Sequence, residues 1–195
     1  MPIPRRSETR EAGRRKLMEA AINCYLNNEK IEISALATEL GISRASAYRW
    51  LGDNDRVLCE VLMIRTRLNF EDRRSENLHL IGRARVLGVL NGFMRHAAES
   101  EHLMSALMAD PPRVMRIVAS SAFPMQRMVV GFIQGLLIEE EAAGRIELPV
   151  DARALAYGIC RLMEGFLYAD LVAGESIDMD RATTVLELLV PNDGQ

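Results

Sequence analysis

A chain of 195 residues is long enough to bury a sizeable core in one large domain or two small ones, without disulfide or metal staples. Hydrophobic residues are 49% of it and charged residues 26%, a globular balance that excludes disorder as the main state. The net charge of −3 speaks against nucleic-acid binding only as an average: residues 1–56 carry ten Lys and Arg against eight Asp and Glu, whereas the remainder carries 14 against 19. Arg5, Arg6, Arg10, Arg14, Arg15 and Lys16 are opposed in the leading stretch only by Glu8 and Glu11, so a basic segment precedes an acidic body. Cys24, Cys59 and Cys160 have no close pairing and lie on apolar stretches, which reads as core residues in a reducing compartment rather than a disulfide framework. No run approaches the length of an apolar membrane span, and Met-Pro-Ile-Pro-Arg-Arg has no apolar leader; the expectation is a cytoplasmic protein without a membrane partner.

Taken in order, the segments follow the helical period, and no stretch alternates long enough to build a sheet. Leu17, Ala20, Ala21 and Cys24 mark a first helix ending near Asn27-Asn28. A second runs from about Ser34 to Leu40 and stops at Gly41; Ser43 caps a third over 44–50, and Asp53 caps a fourth over 53–73 with Val57, Val61, Ile64 and Leu68 as its buried stripe. Further helices are predicted over 78–99, 101–109, 112–119, 123–143, 151–172 and 178–190. The pair at 123–143 and 151–172 is apolar around most of its circumference, so one face can meet its own core and the other a second subunit.

Residues 33–52 carry the functional signal. Ala37 is small where two helices must approach, Gly41 falls four residues later at a tight turn, and Leu36, Leu40, Ile42, Ala47 and Trp50 supply a three-helix core. This is helix-turn-helix spacing, in which the second helix enters the DNA major groove. Arg44, Ala45, Ser46, Tyr48 and Arg49 are its exposed positions: Arg44 suits guanine, Ala45 a close approach or a thymine methyl, and Tyr48 and Arg49 phosphates. Arg5 and Arg6 either reach a minor groove or attract phosphates diffusely. The alternative is a helical hairpin with a polar face and no DNA.

Leu36-Ala37, Gly41-Ile42-Ser43, Ala47-Tyr48-Arg49-Trp50-Leu51 and the helix opening at Asp53 through Val57-Leu58 resemble the TetR family of bacterial repressors over residues 11–62. The resemblance implies a dimeric regulator released from DNA by a small molecule. It also implies a phosphate contact at Asn54, where the family usually has Lys; Arg56 is a candidate substitute. Leu51 stands where Phe is usual, and Glu32 where a Ser or Thr cap is usual, leaving Ser34 to cap the second helix or meet DNA. Residues 48–53 together with 161–170 are similar to the QsdR-type subgroup associated with quorum-quenching lactonases, which implies a lactone or acyl-lactone inducer.

In the C-terminal half, Phe132, Leu136, Leu155, Ile159 and Leu162 are the candidate dimer interface, with Gly131, Gly135, Gly158 and Gly165 as sites of close packing. Arg161, Glu164 and Tyr168 share one helix face among apolar neighbours and are candidate ligand contacts, joined by Tyr157, Asn91 and His96, with Phe93 and the many methionines as an adaptable lining. A plain Arg161–Glu164 ion pair is the competing reading. His79, His96 and His102 make no ligand set and no catalytic motif is present, so neither enzyme activity, metal nor cofactor is expected; Glu139-Glu140-Glu141 reads as a solvated face. The expectation is therefore an all-α protein: a basic flexible arm (1–10), a helix-turn-helix head (11–55), and a ligand-binding and dimerisation domain (56–195) reached through the helix over 53–73. It would bind a palindromic double-stranded operator as a homodimer. The alternative is an all-helical small-molecule-binding or scaffolding protein whose hairpin mediates protein contacts.

Overall fold

The structure, a computed structural model, describes residues 6–169 and 172–193, with side chains from Arg10 to Tyr168 and from Val172 to Asp193. Among the described residues the chain is all-helical, and its one pair of bridged extended residues is Ile146 with Asp193. The elements are α1 (Arg6–Leu26), α2 (Ile33–Glu39), α3 (Arg44–Leu51), α4 (Asn54–Glu76), α5 (Gly82–Ala98), α6 (Glu101–Ala109), α7 (Pro111–Ala119), α8 (Met125–Ala142), α9 (Ala152–Glu164) and α10 (Met179–Leu189). They form two compact units that divide between Ile64 and Arg65.

In the N-terminal unit α1 buries Leu17, Met18, Ala21 and Tyr25. The α2 end is closed by paired backbone bonds, Ile42 N–H to Ala37 O at 2.8 Å and Gly41 N–H to Thr38 O at 3.3 Å, with Gly41 at φ +66°. That bond pattern needs a residue in the left-handed region, which glycine adopts without a steric penalty. Ser43 then caps α3 by accepting from Ser46 N–H at 3.2 Å. The head is tight where α1 crosses α3: a Cβ on Gly13 would stand 2.5 Å from the Trp50 ring.

In the C-terminal unit α5 buries Val86, Val89, Leu90, Phe93, Met94 and Ala97, and α8 packs on α9 through Ile133, Leu136, Leu137, Ile159 and Met163. Local chemistry sets the helix starts. Ser100 caps α6, Asp110 caps α7 ahead of Pro111, and Asp151 caps α9 through two backbone N–H groups at 3.0 Å. An aromatic cluster joins three elements, with Phe70 edge-on to Phe93 at 5.8 Å and stacked on Phe132 at 5.0 Å.

Several expectations are corrected. Helix α1 begins at Arg6, so residues 6–10 are helical rather than a flexible arm; Arg5 lies outside the described residues. The first compact unit extends to Ile64 instead of stopping at 55. Of the stripe expected on α4, Val57 and Val61 are buried, whereas Ile64 and Leu68 are 36% and 45% exposed; Leu58, Leu62 and Phe70 are buried in addition. Cys59 and Cys160 are buried as expected, whereas Cys24 is only half-buried. Helix α5 starts at Gly82 rather than 78, because Gly82 has φ +60° and a Cβ there would meet Asp193 Oδ1 at 2.4 Å. The helix expected over 151–172 leaves regular α geometry at Gly165 and widens into a π turn over Gly165–Ala169.

The expected dimer residues mostly face inward. Leu136 and Ile159 are fully buried in their own protomer and Leu155 is nearly so, while Phe132 stacks on Phe70. Leu162 is half-buried. The large apolar side chains of α8 and α9 build the protomer core; the outward face carries Gly131, Gly135, Ile138, Ala154, Tyr157 and Gly158.

Candidate functional site

The helix-turn-helix presents one continuous polar surface on α3. Ala47 and Leu51 are buried, one turn apart, and they orient the helix so that Arg44, Ala45, Tyr48 and Arg49 are exposed. Ser46 is half-buried and links the cap to that surface: it shares a hydroxyl hydrogen bond with Ser43 at 2.9 Å and accepts from Arg49 Nη2 at 3.2 Å. Arg49 is thereby held along the helix by its neighbour, while no hydrogen bond or ion pair holds Arg44 among the contacts described. A free guanidinium at the first turn of an exposed, capped helix can reach base edges or phosphates without breaking an internal pair.

Asn54, at which the resemblance implied a phosphate contact, is bonded within the head. Its Oδ1 accepts from Ile33 N–H at 3.0 Å and its Nδ2 donates to Glu32 Oε2 at 3.4 Å. Glu32 makes no side-chain cap bond to α2, so the first residue of α4 supplies the cap from across the head. The Asn54 amide is thus committed inside the unit, and its candidate substitute Arg56 pairs with Asp53 at 3.7 Å. Ser34 makes no cap either; it is half-buried, and its carbonyl accepts from Thr38. Arg14 braces the unit through both oxygens of Glu60, at 2.6 and 2.7 Å.

In the C-terminal unit the structure gathers half of the candidate ligand residues. Arg161 donates to Tyr157 Oη at 3.0 Å, to Glu164 at 2.8 Å and to the Ala119 carbonyl at 3.1 Å, and lies over the Tyr157 ring. Gln126 donates to both Glu164 oxygens, at 3.0 and 3.2 Å. Burial and Glu164 push the Cys160 thiol up, so it stays protonated, whereas bonds to Tyr157 and Glu164 hold Arg161 firmly charged. Arg161 and Glu164 thus form the ion pair that their spacing allows. Tyr168 is buried, Asn91 accepts from Thr183 at 3.2 Å, and His96 is exposed.

Gln126 and Tyr157 also line an open groove of about 550 Å³ between α8 and α9, with Arg127, Val130, Gly131 and Gln134. Two further groups gave no signal in the sequence. Glu140, in the middle of an apparently solvated run, is fully buried and holds Gly82 N–H at 2.7 Å together with Arg85 and Arg145. Asn69 is likewise buried, donating to the Phe93 carbonyl at 3.1 Å.

A capped, outward recognition helix on a small helical head, followed by a larger helical unit, defines a helix-turn-helix regulator. The family described as "Tetracyclin repressor-like, C-terminal domain" matches residues 81–191, and the chain belongs to the TetR family of transcriptional regulators. Among solved structures the chain is similar to the Rhodococcus erythropolis transcriptional repressor QsdR, with TM-score 0.83 and 24% identity over 92% of this chain and 95% of that one. It is similar to a TetR-family regulator from Pectobacterium atrosepticum, with TM-score 0.70 and 18% identity over 98% and 100%. A third likeness is to the regulator FadR from Bacillus subtilis in complex with stearoyl-CoA, with TM-score 0.59 and 14% identity over 90% and 97%. No curated protein sequence matches. Among the described residues no helix is long and apolar enough to cross a membrane.

Proposed function

We propose that the protein is a one-component cytoplasmic repressor that binds a palindromic operator as a homodimer and is released by a small apolar or lactone-like ligand held in the C-terminal unit. The carrying observation is the α3 surface: Arg44, Ala45, Tyr48 and Arg49 stand exposed on a helix whose opposite face is buried. Two such helices must be held about one duplex turn, roughly 34 Å, apart to read two half-sites, and that requires a second copy.

The outward face of α8 and α9 suits that copy. Gly131, Gly135 and Gly158 each cost helix stability, yet a Cβ at any of them would meet nothing within 4 Å in the protomer. Close approach by another backbone accounts for glycine at all three. The interface is then Gly131, Gly135, Ile138, Tyr157 and Gly158, in place of the buried leucines and isoleucine. For the ligand, support comes from the unit's apolar interior and from the likeness to QsdR and to the stearoyl-CoA complex of FadR. Ligand must favour a form whose recognition helices are misplaced, since only differential affinity shifts the equilibrium.

Operator selection from genomic DNA followed by binding titrations at fixed salt tests the reading. Arg44→Ala should weaken the selected operator by about tenfold or more, as loss of a bidentate base contact does, and Tyr48→Phe should weaken it less. Unchanged affinity in both variants, or binding indifferent to sequence, would remove α3 from recognition.

A further inference from the structure

We propose that Asn69 and Arg73 form the polar end of a binding site in the C-terminal unit, one that takes a neutral head able both to donate and to accept hydrogen bonds, an amide or an alcohol, on an apolar chain. This rests on the reading of that unit as the ligand-binding half of a regulator, and names the chemistry of the ligand.

Asn69 is 7% exposed. Its Nδ2 donates to the Phe93 carbonyl at 3.1 Å, and only the NH2 end of the amide can face a carbonyl, so the orientation is settled. The Oδ1 atom is left buried without a donor. One turn further along α4, the Arg73 head pairs with Glu76 at 2.8 Å, but its Nε–H is buried without an acceptor. The stem of Arg73 lies against Gly92, where a Cβ would stand 3.0 Å from Arg73 Cδ.

An orphan acceptor and an orphan donor thus sit four residues apart on one helix, beside the consecutive α5 residues Gly92 and Phe93. Residues at that spacing share a helix face, with Cβ atoms about 6 Å apart. Buried polar groups in native proteins are nearly always paired, with protein, ordered water or a ligand. One group that both donates and accepts satisfies both atoms. A carboxylate, ester or thioester offers acceptors only and leaves Asn69 Oδ1 unpaired. Phe70 and Phe93, next in the chain to Asn69 and Gly92, are buried and pack with Phe132, so the surroundings of the orphan pair are apolar and suit an apolar chain. Arg73 runs from the orphan pair toward its partner Glu76, whose side chain is 56% exposed, so solvent is one side-chain length away.

The test is thermal stability of the full-length protein without DNA, so failure here leaves the operator assay standing. Medium-chain N-methylamides and primary alcohols are compared with methyl esters and carboxylates of the same chain length. The amide or the alcohol series should raise the melting temperature by several degrees, with much smaller shifts from the esters and carboxylates. Asn69→Leu should abolish that preference. Arg73→Met, which keeps the stem over Gly92 and removes the Nε–H, should reduce it and does not depend on how the fold tolerates a change at Asn69. Equal shifts from esters and amides, no shift from any amide or alcohol, or a preference that survives both substitutions would each overturn the proposal. So would Asn69→Leu simply raising the melting temperature of a protein that ignores all four series, because the pair would then be serving water alone.

Discussion

Glu140 shows how much a single residue can change its meaning on folding. Burial alone would raise the pKa of its carboxyl, but the Gly82 N–H and the Arg85 and Arg145 guanidinium groups outweigh burial and hold it below the ordinary 4.5. A carboxyl whose pKa is depressed by folding adds stability that is complete above the unfolded value and lost as pH falls through the folded one. Glu140→Gln should therefore cost about 3 kcal/mol at neutral pH, since it strips a buried charge cluster of one partner. The gap to the wild type should shrink below about pH 4.5, which urea melts at a series of pH values would measure. Nothing in a run of three glutamates marks the middle one; Glu139 also pairs with Arg85 of α5 but stays exposed, as does Glu141, and only full burial with a bond to the Gly82 N–H singles out Glu140. Asn69 was hidden for the same reason.

At the scale of elements, the helix-turn-helix was legible almost residue by residue. Its signals are local: Ser43 reaches only as far as Ser46, and Gly41 closes a turn with bonds to Thr38 and from the next residue to Ala37. The cap of α2 was not legible, because Asn54 acts from 21 positions away. Asn54→Ala should cost about 1 kcal/mol, in the range of a lost helix cap, and lower the melting temperature, whereas Asn54→Asp keeps the acceptor and should lose less. At the crossing of α1 and α3, Gly13→Leu should destabilise the head by roughly 1–3 kcal/mol, the cost of overpacking, and weaken operator binding along with it. An operator affinity unchanged by that substitution would show that the α1–α3 contact does not position the recognition helix.

On the whole molecule, the charge total of −3 conceals an N-terminal +2 and a C-terminal −5. The head's excess is modest, so placement of Arg44 and Arg49 on the exposed surface must do what bulk charge does not. The proposed dimer face also belongs to this scale. A Cβ at Gly135 would meet no atom of its own protomer within 4 Å, so Gly135→Leu should leave the fold intact while shifting light scattering toward the monomer. Ile159→Ala, at a fully buried position, should instead cost about 2–5 kcal/mol of stability whatever the oligomeric state. A Gly135→Leu protein that remains as dimeric as the wild type would place the interface elsewhere.

Taken alone, the sequence determined the all-helical class, the helix-turn-helix geometry and most helix boundaries, because periodicity, caps and turn glycines act within a few residues of one another. Tertiary structure decided which side of the apolar helices α8 and α9 faces the protomer core, turning Leu136 and Ile159 inward and three glycines outward. It likewise decided that Arg161 and Glu164 brace each other and that Asn54 caps a distant helix. Those outcomes depend on contacts between residues far apart in the chain, and a helix that is apolar all round carries no local mark of the face it will bury.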